Sequence, residues 1–216
     1  MRKGLLLTTF CLAFISSQAV LADPVSFNFS SVGNAQIVFD GSGGFHFVNS
    51  TSTSAGYGFQ IGLGPASLTG LLGEITGNYS VGAILSSGGT DTATVTGSGL
   101  FRIYDGAQWF TADVQWVNIS TTGTGSTLNS TATVNLLNFS YSGSNAGLLQ
   151  LLGDGSGVVT ITFQFNPART LATLKAEGGS NSYSGAVASV PVPEPGTLVL
   201  LLLGLGCLAI RPRQRL

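Results

Sequence analysis

Few side chains in this 216-residue chain could carry acid–base or covalent chemistry: it has one histidine, His46, and two cysteines, Cys11 and Cys207. His46 stands between Phe45 and Phe47. Neighbours on a strand point to opposite faces, so phenylalanines in a core leave the imidazole in solvent. A second histidine to complete a metal site is missing, and no Gly-x-Ser-x-Gly turn presents a nucleophile. The carboxylates Asp91, Asp105, Asp113 and Asp154 are material for a glycosidase pair, which needs two carboxyl groups about 5–10 Å apart. Their spacing forces no two together, and each reads as a solvated turn or strand residue. Gly153-Asp154-Gly155-Ser156-Gly157 has the glycine–aspartate character of a calcium-binding repeat, but one copy lacks the stacking through which such repeats work. The expectation is therefore a protein without enzymatic activity, metal or cofactor.

Aromatic residues offer a different chemistry, because exposed ring faces stack on sugars. Trp109, Trp116 and Tyr104 surround one predicted hairpin, Phe101 to Ile119, closed by Asp105-Gly106. Strict alternation puts Trp116 in the core with Phe110 and Val114 and puts Trp109 on the other face. Trp109 and Tyr104 are the candidate glycan contacts, and packing on the sheet is the competing reading.

Period-two alternation identifies the elements that must position these residues. It runs through Val25-Ser26-Phe27-Asn28-Phe29-Ser30, then Leu71, Gly73, Ile75, Gly77, Tyr79 and Val81, then Phe110, Ala112, Val114 and Trp116. Even positions from Leu128 to Leu136 and odd ones from Val159 to Phe165 continue it. Turn signals separate the runs: Asp40-Gly41, Ser87-Gly88-Gly89, Asp105-Gly106, Gly123-Thr124-Gly125 and Gly155-Ser156-Gly157. A short helix is predicted over Ser144–Gly153; from Asn166 a cap with Pro167 at the first position offers a second helix, while Thr170 and Thr173 favour strand equally. The sum is an all-β domain: a single antiparallel β-sandwich or jelly-roll of about ten strands over residues 23–190.

The ends read differently. Met1-Arg2-Lys3, an apolar run to Ile15 and the small residues of Val20-Leu21-Ala22 form a secretory signal peptide, residues 1–22, with cleavage between Ala22 and Asp23. A cut after Ala19 and an uncleaved anchor are the alternatives. Cys11 follows Phe10, where a lipoprotein signal would place a small residue. At the far end, Val192-Pro193-Glu194-Pro195-Gly196-Thr197 precedes an apolar segment, Leu198–Ile210, and then Arg211-Pro212-Arg213-Gln214-Arg215-Leu216. Thirteen residues of helix reach about 20 Å, short of a hydrocarbon core of about 30 Å. The terminal arginines hold that end in the cytoplasm. A polar motif, a marginal apolar tail and a charge cluster fit a removable sorting signal. A permanent anchor after a proline linker is the simpler alternative.

This arrangement over residues 191–216 resembles the PEP-CTERM sorting domain of Gram-negative bacteria, recognised by the membrane protease exosortase. The resemblance implies export, transient membrane anchoring through the C-terminal helix, and cleavage at Val192-Pro193-Glu194-Pro195. It further implies placement at the cell surface or in an exopolysaccharide matrix, and says nothing about enzymatic activity.

Residues 23–195 hold three basic residues against nine acidic ones, with 27 glycines, 42 serines and threonines and no cysteine. Nucleic acid is excluded as a partner, since neutralising phosphates needs a basic face. Without cysteine the exported domain is held by its core alone. Six Asn-x-Ser/Thr triplets begin at Asn28, Asn49, Asn78, Asn118, Asn129 and Asn138, where two to three are expected by chance from about 24% serine plus threonine. The expected function is an exported, exosortase-processed surface or matrix protein; the alternative is an extracellular carbohydrate-binding module.

Overall fold

Alternation becomes sheet as the pattern demands. The computed structural model describes residues 23–124 and 127–190. The described strands are β1 Ser26–Ser31, β2 Gln36–Phe39, β3 Gly44–Val48, β4 Phe59–Leu63, β5 Leu72–Ile75, β6 Asn78–Ser87 and β7 Thr90–Ser98. They continue as β8 Leu100–Tyr104, β9 Trp109–Thr124, β10 Thr127–Ser140, β11 Gly157–Phe163, β12 Gly179–Asn181 and β13 Ser184–Ser189. Two helices interrupt them, α1 Ala146–Asp154 and α2 Leu171–Glu177.

The all-β expectation holds, but the expected sandwich or jelly-roll gives way to a closed ring. Strands β9, β10, β11, β13, β1, β4, β5 and β8 pair in that order and return to β9, an eight-stranded antiparallel barrel. Five further strands, β7, β6, β3, β2 and β12, extend from β9. The 16 residues of β9 make both possible. Its first part, Trp109–Asp113, pairs with β8, and Asn118–Thr122 pairs with β7 on the same edge. Between them the register with β10 slips, Trp116 facing Val134 and Asn118 facing Thr133, so Val117 is an extra residue. This bulge moves the inward set from Phe110, Ala112, Val114 and Trp116 to Ile119 and Thr121. Val117 is left exposed.

A second correction concerns Leu71–Val81, which alternates as one strand but folds as β5 and β6. Gly77 breaks it: its φ of +109° suits glycine, and a Cβ there would lie 2.3 Å from the Ser98 carbonyl oxygen. Inward phase survives the bend, with Ile75 and Tyr79 both buried.

The core is one continuous cluster. Inside the barrel Phe29 and Phe101 pack on Phe59 at centroid separations of 5.8 Å from each other and 4.5 and 5.0 Å from it. Under the added strands Phe45 meets Trp116 edge-on at 4.9 Å and stacks on Phe39 at 5.2 Å. The Tyr183 ring joins the halves, 4.9 Å from Phe47 and 6.5 Å from Phe29. Each such pair adds about 0.5–1.5 kcal/mol beyond simple burial.

Both helices close gaps beside the sheet. Asn145 caps α1, its Oδ1 accepting from the N–H groups of Gly147 and Leu148 at 3.0 and 3.2 Å, while Leu148 and Leu151 are buried. Gly155, at φ +74°, ends it two residues later than the expected Gly153. α2 starts at Leu171 with Thr170 as its cap, so Asn166 and Pro167 precede the helix instead of opening it. The buried Thr121 hydroxyl accepts the Leu171 N–H at 3.2 Å, which ties α2 to β9. No described helix is long and apolar enough to cross a membrane; the expected signal helix and the apolar tail lie outside the described residues.

Candidate functional site

Register brings the two predicted glycan contacts together. Tyr104 at the end of β8 faces Trp109 at the start of β9, and one step back Arg102 pairs with Glu74 of β5. These side chains lie on the face opposite Phe101 and Ile103. Asp105 holds the turn between the strands: its Oδ1 accepts the N–H groups of Ala107 and Gln108 at 2.7 and 2.6 Å. Its Oδ2 accepts the Tyr141 hydroxyl. The Tyr141 oxygen in turn accepts the Asn145 N–H at 2.9 Å, so the hairpin turn is linked to the α1 cap.

The tyrosine and tryptophan rings lie 5.0 Å apart, and Tyr57 joins them at 6.1 Å from Tyr104 and 6.0 Å from Trp109. All three are half-buried. The Arg102 guanidinium carbon stands 4.1 Å above the Trp109 ring, a cation–π contact that occupies one face of the indole. Arg102 also donates to Glu74 Oε1 at 2.7 Å, while Asn49 Nδ2 donates to Glu74 Oε2 at 2.6 Å and to the Gly56 carbonyl at 2.9 Å. The loop from Asn49 to Gly58 is thereby fastened over β5, and Glu74 is only 8% exposed. Beneath it the Tyr183 hydroxyl and Arg102 Nε are buried without partners among the described residues. Burial, and then the Glu74 charge, push the Tyr183 phenol above its ordinary range. A Cβ at residue 58 would sit 2.7 Å from that hydroxyl, so the loop closes here only with Gly58. Sequence reading found Trp109 and Tyr104 but not Tyr57, Arg102, Glu74 or Asn49. An acidic residue facing an arginine across neighbouring strands was the available signal.

The four carboxylates weighed as a glycosidase pair have separate partners. Asp91 accepts from Ser86 at 2.6 Å and Asp113 from Asn138 at 2.7 Å. Asp105 serves its turn, and Asp154, 3% exposed, accepts from Ser189. Hydrogen bonds from the Gln108 backbone and the Tyr141 side chain hold the Asp105 carboxyl below its ordinary range. His46 is on the outer side of β3 as expected, opposite Val38 and Asn78. Among the described residues no three histidine, cysteine, aspartate or glutamate side chains gather as a metal site.

Of the expected processing residues, Ala22, Val192, Pro193, Glu194 and Pro195 lie outside the described residues, as does Cys11. Asp23 begins them, and its carbonyl accepts Gln150 Nε2 at 3.0 Å. β1 and β13 are antiparallel neighbours, and the Ser189 N–H donates to the Val25 carbonyl at 2.8 Å. Both ends of the barrel domain therefore emerge side by side.

Fold and cluster define an all-β barrel domain with aromatic and ion-pair chemistry on its outer surface. None of the curated proteins and none of the solved structures compared with the chain matches it. Residues 191–214 match the PEP-CTERM protein-sorting motif. The chain is a PEP-CTERM domain-containing protein, and the motif implies export, exosortase targeting and sorting to the cell surface.

Proposed function

We propose that the protein is an exported, non-enzymatic constituent of the surface or exopolysaccharide matrix of a Gram-negative cell. Its signal peptide is removed between Ala22 and Asp23, and an exosortase then cuts at the Pro-Glu-Pro motif after transient anchoring by the C-terminal helix. The match over residues 191–214 carries this reading. The neighbouring ends of the barrel are in keeping with it, because the two terminal signals attach to the domain through adjacent strands, β1 and β13. A cysteine-free, hydroxyl-rich, charge-poor domain also suits a hydrated glycan layer. Intact mass of the protein from hosts with and without the exosortase tests it. The expected mature species begins at Asp23 and lacks the arginine-rich tail only when the enzyme is present; an unchanged C-terminus in both hosts refutes processing.

The carbohydrate-binding reading is favoured by one observation, the meeting of Tyr57, Tyr104 and Trp109 in a half-buried cluster. With Arg102 over one indole face, sugar contact there uses the remaining ring surface and edges. Trp109→Ala in the full-length chain, assayed on a glycan array, should lose any glycan signal that depends on this cluster.

A further inference from the structure

On another part of the barrel, β1, β10, β11 and the approach to β13 border an open cleft of about 630 Å³. That volume falls within the roughly 300–1,000 Å³ of small-molecule sites. Its lining is uniform in chemistry: Thr131, Thr162, Ser184, Ser30, Gln164, Asn181, three more serines and two buried aromatic side chains, with no charged residue. Four of these hydroxyls are consecutive register partners. Thr131 faces Thr162, Thr162 faces Ser184, and Ser184 faces Ser30, across four adjacent strands. Strands lie about 4.8 Å apart, so the row spans about 14 Å in steps comparable to one sugar ring. One of the lining serines, Ser130, is 2% exposed.

Charge decides what kind of ligand such a cleft accepts. The three cationic side chains of the described span are already engaged: Arg102 with Glu74, Arg169 with the Gly178 carbonyl at 2.6 Å, and Lys175 with the Gly82 carbonyl at 2.6 Å. A polyanion would meet an acidic domain and no free cation among the described residues. A peptide adding as a strand finds no edge here, since β1, β10, β11 and β13 are each paired on both sides. Thr162 and Ser184 share one hydroxyl hydrogen bond at 2.9 Å and Asn181 is held by Gln164 and Ser182, yet each hydroxyl keeps further hydrogen-bonding capacity that an apolar ligand would cut off from water.

We propose that this cleft binds a segment of uncharged polysaccharide through hydrogen bonds to the row Ser30, Ser184, Thr162 and Thr131. The proposal deepens the matrix reading by naming the class of glycan, and its test uses purified protein, so sorting and binding fail separately. Full-length chain in detergent is titrated calorimetrically with dextran and laminarin as neutral glucans and with alginate as a uronate polymer. At least one neutral glucan binds and alginate does not. Thr162→Val with Ser184→Ala weakens binding by roughly tenfold or more, the effect of losing two or more hydrogen bonds, with the melting temperature retained. Should the pair lower that temperature, Thr162→Val alone, a hydroxyl-to-methyl change at an exposed strand position, decides; Thr162→Ser keeps binding. Absence of heat with both glucans, alginate binding as strong as theirs, undiminished binding by the valine variant, or loss with Trp109→Ala instead would each overturn the cleft assignment.

Discussion

The Ser189 hydroxyl donates to the Asp154 carboxylate and simultaneously accepts the backbone N–H of Val25 at 2.7 Å. Three segments meet there: the last residue of α1, the last of β13 and the chain just before β1. Asp154 is buried at a helix C-terminus whose last turn has no basic residue, where the helix dipole disfavours a negative charge. The serine supplies the donor that makes this position tolerable. The same oxygen fixes the first residues of the domain to its last strand.

Ser189→Ala removes a donor from Asp154 and an acceptor from Val25, leaving buried polar groups with fewer partners. The expected cost is about 1–3 kcal/mol. At roughly 2–4 °C per kcal/mol for a domain of this size, melting should fall by several degrees. Thermal denaturation by circular dichroism checks this, and an unaltered melting temperature would show that the junction contributes nothing.

Arg102 and Glu74 should couple more strongly than a surface ion pair. Glu74 keeps only 11% of its side-chain exposure, while Arg102 is 29% exposed, so solvent screens part of the interaction. Arg102→Met strands the glutamate with Asn49 as its remaining side-chain partner, at a cost of about 1–3 kcal/mol. Glu74→Gln in the same chain should recover part of that loss. A double-mutant cycle in denaturant measures the coupling. Tryptophan fluorescence adds a local readout, because Arg102→Met uncovers the Trp109 face and should change its emission.

Acid should loosen the hairpin turns before the core. The Asp105 carboxyl is held low by the Gln108 backbone and then Tyr141, and Asp40 by the backbone N–H groups of Ser42 and Gly44. A carboxyl with a lowered folded-state pKa contributes stability in full above its unfolded value, about 3.9, and loses it as pH falls further. Melting temperature should therefore decline below about pH 4. Asp105→Asn should lower stability at neutral pH and flatten that decline; a parallel acid limb in the variant counts against the turn as its source.

What could be read from the sequence follows from what leaves a local trace. One-sided burial imposes alternation, so Phe27 with Phe29, Phe110 through Trp116, and Val159 through Phe163 declare their inward faces. Closure of a ring leaves no such trace. It depends on β9 pairing with β8 on one edge and β10 on the other, and the shift at Val117, beyond which the β8 edge passes to β7, looks like ordinary irregularity in a row of letters. The candidate site divides in the same way. Trp109 is legible from the phase of β9, whereas Glu74 falls on the polar phase of β5 and is buried only because the Asn49–Gly58 loop crosses it. The triplet excess has a structural origin as well. Asn28 with Ser30, Asn78 with Ser80, Asn118 with Ser120 and Asn138 with Ser140 are pairs two residues apart on strands, each outside the buried set. Repeated amide and hydroxyl residues on outer faces generate Asn-x-Ser without any acceptor role.

Sorting should depend on Glu194 independently of the fold. It is the only charged residue between Glu177 and Arg211, and its proline neighbours fix their own φ near −65° and lack N–H donors, which disfavours helix and sheet around it. A protease reading this stretch has the carboxylate as its one charged contact. Glu194→Ala, or deletion of Arg211–Leu216, should leave the melting temperature of the barrel unchanged while full-length protein accumulates in the inner membrane of an exosortase-positive host. A permanent anchor predicts instead that Glu194→Ala alters neither mass nor location. Membrane fractionation with intact mass of the C-terminal peptide separates the two, since only the sorting reading requires the wild-type tail to disappear.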